Sequence, residues 1–114
     1  MPLTVWRTAL HQKRPYAALD DAVAAFLFIL RRSLFTGRIY NVVTENLTVH
    51  DVIEIIHERV PQTEVEYVDS AIMNQLSYEV SGRRLREVGF ETCGSVRRAV
   101  HDTIDVLQAA GGRL

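Results

Sequence analysis

A chain of 114 residues, 47% hydrophobic and 24% charged, has the composition of a single soluble globular domain, which excludes a disordered or low-complexity protein. Its formal net charge of -1 provides no general attraction to nucleic acid or to an anionic membrane. The single cysteine, Cys93, excludes a disulfide framework or a cysteine zinc site within one chain and suits a reducing cytoplasm. Residues 1–110 read as one unit and residues 111–114 as a frayed tail.

In chain order, Leu3 to Ala9 mixes β-branched and aromatic residues and predicts a strand or extended arm. Arg14 to Leu19 predicts a second short extended piece, with Pro15 holding its start. Asp20 and Asp21 suit the positive end of a helix dipole and open a helix through about Ser33. Within it, Ala22 to Leu30 is apolar on every face. Such a helix expects cover on all sides, more than a domain of this size supplies. A homo-oligomer formed through this surface is the natural expectation. The run is also too short to cross a bilayer, which takes about 20 residues. The start of the chain, Met1 to Arg7, lacks the charged leader and apolar run of a signal peptide.

Gly37 ends the next turn, and Arg38 to Val43 predicts a buried strand. Thr48 and Asp51 have the spacing of a capping box, so a helix should run from there to about Val60, stopped by Pro61. Val49, Val52, Ile53, Ile56 and Val60 share one face of it. Glu64 to Val68 alternates polar and apolar residues as a half-exposed strand does. After a loop through Tyr78 come a short basic helix from Gly82 to Val88, closed by Gly89, and a last helix capped by Ser95. The expected class is therefore α+β (mixed α/β), with about four helices and four short strands.

Several chemistries are excluded. Dinucleotide binding needs a glycine cluster that lets the backbone approach the pyrophosphate, and the six glycines form no such motif. A Tyr-x-x-x-Lys pair cannot exist, because Lys13 is the only lysine and Ala9 lies four residues before it. His50 and His57 are seven apart, too far to share one metal directly, so with Glu54 between them they read as a solvated helix face. His101 with Asp102, and the arginines Arg83, Arg84, Arg86, Arg97 and Arg98, also read as solvated surface. Cys93 reads as a small loop or core residue. No catalytic, cofactor-binding or metal residue is assigned.

Three segments carry a resemblance. Lys13-Arg14-Pro15-Tyr16 with Asp20-Asp21-Ala22-Val23 resembles the R-x-Y-x-x-x-x-D segment of extended short-chain dehydrogenases, the NAD-dependent epimerase/dehydratase family. Ile39-Tyr40-Asn41-Val42 followed by Leu47-Thr48-Val49 resembles that family's Y-N-V strand and next helix start. Ser81 to Phe90, closing on Val88-Gly89-Phe90, and then Gly94 to Leu107 resemble its final helical stretch. The resemblance is to the C-terminal, substrate-side domain, without the Rossmann domain, and it covers nearly the whole chain.

The resemblance implies a substrate-binding domain of a sugar-nucleotide epimerase or dehydratase, catalytically incomplete alone. A nucleotide-binding domain, and with it NAD(P), would be supplied in trans or from upstream of Met1. It implies that Arg14 pairs with a substrate pyrophosphate, a task suited to a guanidinium fork. It implies that Asp20 or Asp21 is a structural acid at a helix start. No arginine lies between Arg59 and Arg83, where the family often carries a second phosphate ligand. Asn74, Gln75 and Tyr78 are then the candidates to hydrogen-bond the substrate. The competing expectation is a non-catalytic binding or oligomerisation module derived from the same family.

Overall fold

Two separate two-stranded sheets and four helices build the chain in a computed structural model that describes residues 2–69 and 77–111. The order is β1 (Leu3–Trp6), a 3-10 turn (Arg7–Ala9), β2 (Lys13–Tyr16), α1 (Leu19–Arg31), β3 (Glu45–Thr48), α2 (Val49–Arg59), β4 (Val65–Val68), α3 (Arg83–Glu87) and α4 (Val96–Ala109). This is the mixed α/β order expected from the sequence. Strand β1 pairs with β4 in parallel, Leu3 opposite Val65 and Trp6 opposite Val68. Strand β2 pairs with β3 antiparallel, Lys13 opposite Thr48 and Tyr16 opposite Glu45. A two-stranded sheet is marginal by itself, so both pairs depend on what the helices pack against them.

The helix ends follow local chemistry. The Thr48 hydroxyl accepts from the Asp51 N–H and the Asp51 carboxylate accepts from the Thr48 N–H, a complete capping box at the start of α2. These bonds hold the Asp51 carboxyl below its ordinary value, the Thr48 backbone N–H contributing most. Helix α1 ends in a Schellman motif. The N–H of Leu34 reaches the Ile29 carbonyl and that of Ser33 reaches Leu30. Ser33 occupies the left-handed position, φ 51°, where glycine is usual.

The core lies between α1, α3 and the chain after them. Ala25, Leu85 and Phe90 are buried together, with Phe28, Ile29, Tyr40, Val42 and Val88 packed around them. The Phe28 and Phe90 rings meet at 5.4 Å between centroids, inclined by 54°. Helices α2 and α4 form a second contact. There the Asp105 carboxylate takes three hydrogen bonds from Arg59, between 2.5 and 2.9 Å. His101 Nε2 lies 3.1 Å from the Ile55 carbonyl, and Glu58 pairs with Arg97.

One expected element is corrected. Arg38 to Val43 is not a strand; it is an extended segment outside both sheets, and the third strand lies further on, at Glu45–Thr48. Its side chains still alternate. Tyr40 and Val42 turn toward the core, while Ile39 is 74% exposed. The β-branched pattern is real, but a strand also needs a neighbour with free backbone groups, and the folded chain provides that neighbour to residues 45–48 instead.

The molecule is flat, 46 × 37 × 18 Å. Its accessible surface is 8294 Å², against about 6300 Å² for a closed monomer of this mass. Much of the excess is apolar. Leu19, Val23, Phe26, Leu27 and Leu30 on α1 are all exposed, as are Phe35 and Ile39 beyond it. The all-round apolar helix is therefore covered on one side only.

Candidate functional site

Arg14 sits at the second position of β2, opposite Leu47 of β3. Alongside β2 runs the segment from Ser77 to Val80, fastened at several points. The Tyr78 N–H donates to the Lys13 carbonyl at 3.2 Å, and the Lys13 N–H donates to Ser77 Oγ at 2.9 Å. The Asn46 side chain clamps Val80 twice, donating to its carbonyl at 3.0 Å and accepting from its N–H at 2.9 Å. This fastening brings the Tyr78 ring to the Arg14 guanidinium, Cζ lying 5.0 Å from the ring centroid, a cation–π distance. Arg14 Nη1 also donates to the Lys13 carbonyl at 2.9 Å and Nη2 to Gln12 Oε1 at 3.1 Å. The contacts of the fork thus include an aromatic face and two neutral acceptors.

Next to it, Lys13 Nζ donates to Glu79 Oε1 at 2.8 Å. That hydrogen bond, reinforced by the Glu79 charge, raises the lysine above its ordinary value. Of the four residues proposed from the sequence, Arg14 and Tyr78 are brought together. Asn74 and Gln75 lie outside the described residues.

The acidic helix start resolves onto Asp21. Asp20 is exposed and Asp21 is buried. Asp21 Oδ1 accepts from the N–H groups of Cys93 and Gly94, each at 2.9 Å, and Oδ2 accepts from the Thr44 hydroxyl at 2.6 Å. Burial pushes this carboxyl up, and the bonds from Thr44, Cys93 and Gly94 more than reverse that, leaving it below its ordinary value. The Thr44 hydroxyl also accepts from the Ala18 N–H at 2.8 Å. Ala18 precedes α1 and has no side chain to cap it, so Thr44 supplies the cap from another segment. The next residue does the same for α4, Glu45 Oε2 accepting from the Val96 N–H at 2.9 Å. Thr44, Glu45 and Asn46 were missed from the sequence. Their only signal there is three hydrogen-bonding side chains in a row.

Other candidates stay apart. His50 stacks on His11 with ring centroids 6.0 Å apart, and its Nε2 is 3.8 Å from Glu54. His57 instead faces the Thr63 carbonyl at 2.9 Å. No group of three or more histidine, cysteine or acidic side chains among the described residues could hold a metal ion. Arg83, Arg97 and Arg98 pair with Glu87, Glu58 and Asp102 on the surface. Cys93 is an exposed loop residue. No helix among the described residues is long and apolar enough to cross a membrane.

Comparison with protein-family models and with curated proteins finds no match. Among solved structures, the chain is similar to the UDP-glucose 4-epimerase of Thermus thermophilus, crystallised in complex with NAD. The TM-score is 0.77 and the identity 23%, over 96% of this chain and 36% of that one. The chain therefore spans about a third of the length of that enzyme and has the fold of the corresponding portion.

Proposed function

We propose that the chain is the substrate-side unit of an NAD-dependent epimerase/dehydratase-like enzyme, binding a phosphate-bearing sugar nucleotide and catalytically incomplete alone. The observation that carries this reading is the guanidinium of Arg14 held against Tyr78 on a fold similar to part of a UDP-glucose 4-epimerase. A phosphate oxygen can take the place of the neutral carbonyl and amide now on the Arg14 fork. Charge-assisted, bidentate hydrogen bonds favour that exchange. Tyr78 holds the guanidinium plane in place and can donate its hydroxyl to the sugar, with Asn74 and Gln75 as further contacts. The cofactor would be bound by a nucleotide-binding domain in trans or on the same polypeptide upstream, because this chain has no glycine-rich loop and no Tyr-x-x-x-Lys pair. The setting would be cytoplasmic, as the single thiol suggests.

Calorimetric titration with UDP-glucose tests the reading. Arg14→Ala should weaken binding by about tenfold or more, the effect of losing charged hydrogen bonds. Adding NAD should leave the thermal midpoint unchanged. Equal binding by the wild type and Arg14→Ala would remove Arg14 from the site, and micromolar NAD binding would contradict the division of labour.

A second reading, a non-catalytic assembly module derived from the same family, is favoured by one observation: the bare apolar face of α1.

A further inference from the structure

We infer that α1 pairs antiparallel with α1 of a second copy of this chain, forming a twofold dimer. The inference rests on the assembly reading and gives it a geometry. Leu19, Val23, Phe26 and Leu30 are all exposed on the side of α1 away from the core residue Ala25. Their spacing is four, three, four, the a and d seam of a helix pair. A twofold axis passing between Ala24 and Ala25 maps the seam onto itself in reverse. Leu19 then faces Leu30 of the second copy, and Val23 faces Phe26.

Ala22, Val23, Phe26 and Leu27 line an open apolar hollow of about 360 Å³. The hollow lies over the middle of the seam and leaves room for side chains of the second copy.

Charge selects the antiparallel sense. Asp20 and Arg31 lie on one flank of the seam, at opposite ends of the helix, and neither has an ion-pair partner among the described residues. In an antiparallel pair, equivalent flanks meet, so each Asp20 lies by Arg31 of the other copy. A parallel pair would set this flank against the opposite one, and neither charge would meet its complement. The surface excess over a closed monomer, roughly 2000 Å² per chain, is ample for the roughly 800 Å² that each partner buries in a standard interface.

Analytical ultracentrifugation of the full chain over a concentration series tests this. The wild type should show a reversible monomer–dimer equilibrium. Phe26→Lys should raise its dissociation constant by about tenfold or more, since it places a charge at the centre of the seam. Asp20→Arg alone should weaken the dimer, and Asp20→Arg with Arg31→Asp should restore it. Arg14→Ala should dimerise like the wild type, which separates this outcome from that of the substrate reading. A wild type that stays monomeric throughout would overturn the inference, as would a chain that associates only with a nucleotide-binding domain. If Phe26→Lys does not fold by circular dichroism, the charge-swap pair decides, and failure of the double variant to recover the dimer overturns the antiparallel arrangement.

Discussion

The two sides of helix α1 are built from the same thirteen residues by opposite means. On one, Asp21, Ala25, Phe28 and Ile29 are tied into the molecule by hydrogen bonds from the 93–94 loop and Thr44 and by contact with Leu85 and Phe90. On the other, Leu19, Val23, Phe26 and Leu30 are as apolar but touch little. Hydrophobicity alone does not decide which side becomes core. The difference is the buried carboxylate, which needs three donors and therefore fixes how the helix is turned. A buried charge with one arrangement of partners specifies orientation in a way that leucine against leucine cannot.

If that contrast is right, damage to the two sides should differ in scale. Asp21→Ala should cost the most, about 3 kcal/mol in denaturant unfolding, because it orphans the Cys93 and Gly94 N–H groups together. The pH dependence has a definite sign. The folded carboxyl is depressed below its unfolded value, so its contribution is present above the ordinary carboxylate range and is lost as pH falls through the folded value. Acid unfolding of Asp21→Ala should accordingly be shallower than that of the wild type.

Gly94→Ala should come next, at about 2 kcal/mol, an overpacking effect on rigid neighbours. The added methyl carbon would stand 2.7 Å from Asp21 Oδ2 and 3.2 Å from the Ala18 Cβ. Thermal midpoints compared with Gly82→Ala, where φ is -88° and the added carbon would meet Val43 at an ordinary 3.4 Å, would separate the clash from the loss of a glycine. Val23→Ser on the open side should change the stability of the dilute monomer by no more than about 0.5 kcal/mol. A loss as large as that of Gly94→Ala would mean that the side is covered within a single chain.

Much of the fold was legible because it is local. The Thr48–Asp51 pair announces the start of α2, and the spacing of Ile53 and Val60 announces part of its packed face, which also takes in Ile55 off that spacing. Ser95 and Gly89 mark the boundaries near the C-terminus. What was not legible is long-range. Residues 38–43 have a strand's composition and no strand partner, whereas Glu45-Asn46-Leu47-Thr48 has a weaker pattern and pairs with β2. Strand formation is settled by the neighbour as much as by propensity. Asp21 could be read as a helix-start acid, but its donors at Cys93 and Gly94 lie 72 and 73 residues away. Arg14 and Tyr78 were each chosen from the sequence. The fastening that joins them runs through Ser77, Asn46 and Val80, none of which sequence spacing connects to Arg14.

Thr44 and Glu45, two consecutive residues, hold the first turns of α1 and α4. The ends of two helices that are distant in the chain are therefore moored to one short stretch of backbone. A fluctuation that displaces that stretch unlatches both at once, and fraying at either helix pulls on the other's mooring. The start of α1 beside β2 and the start of α4, already joined by Asp21 on the 93–94 loop, then open and close as one cooperative unit.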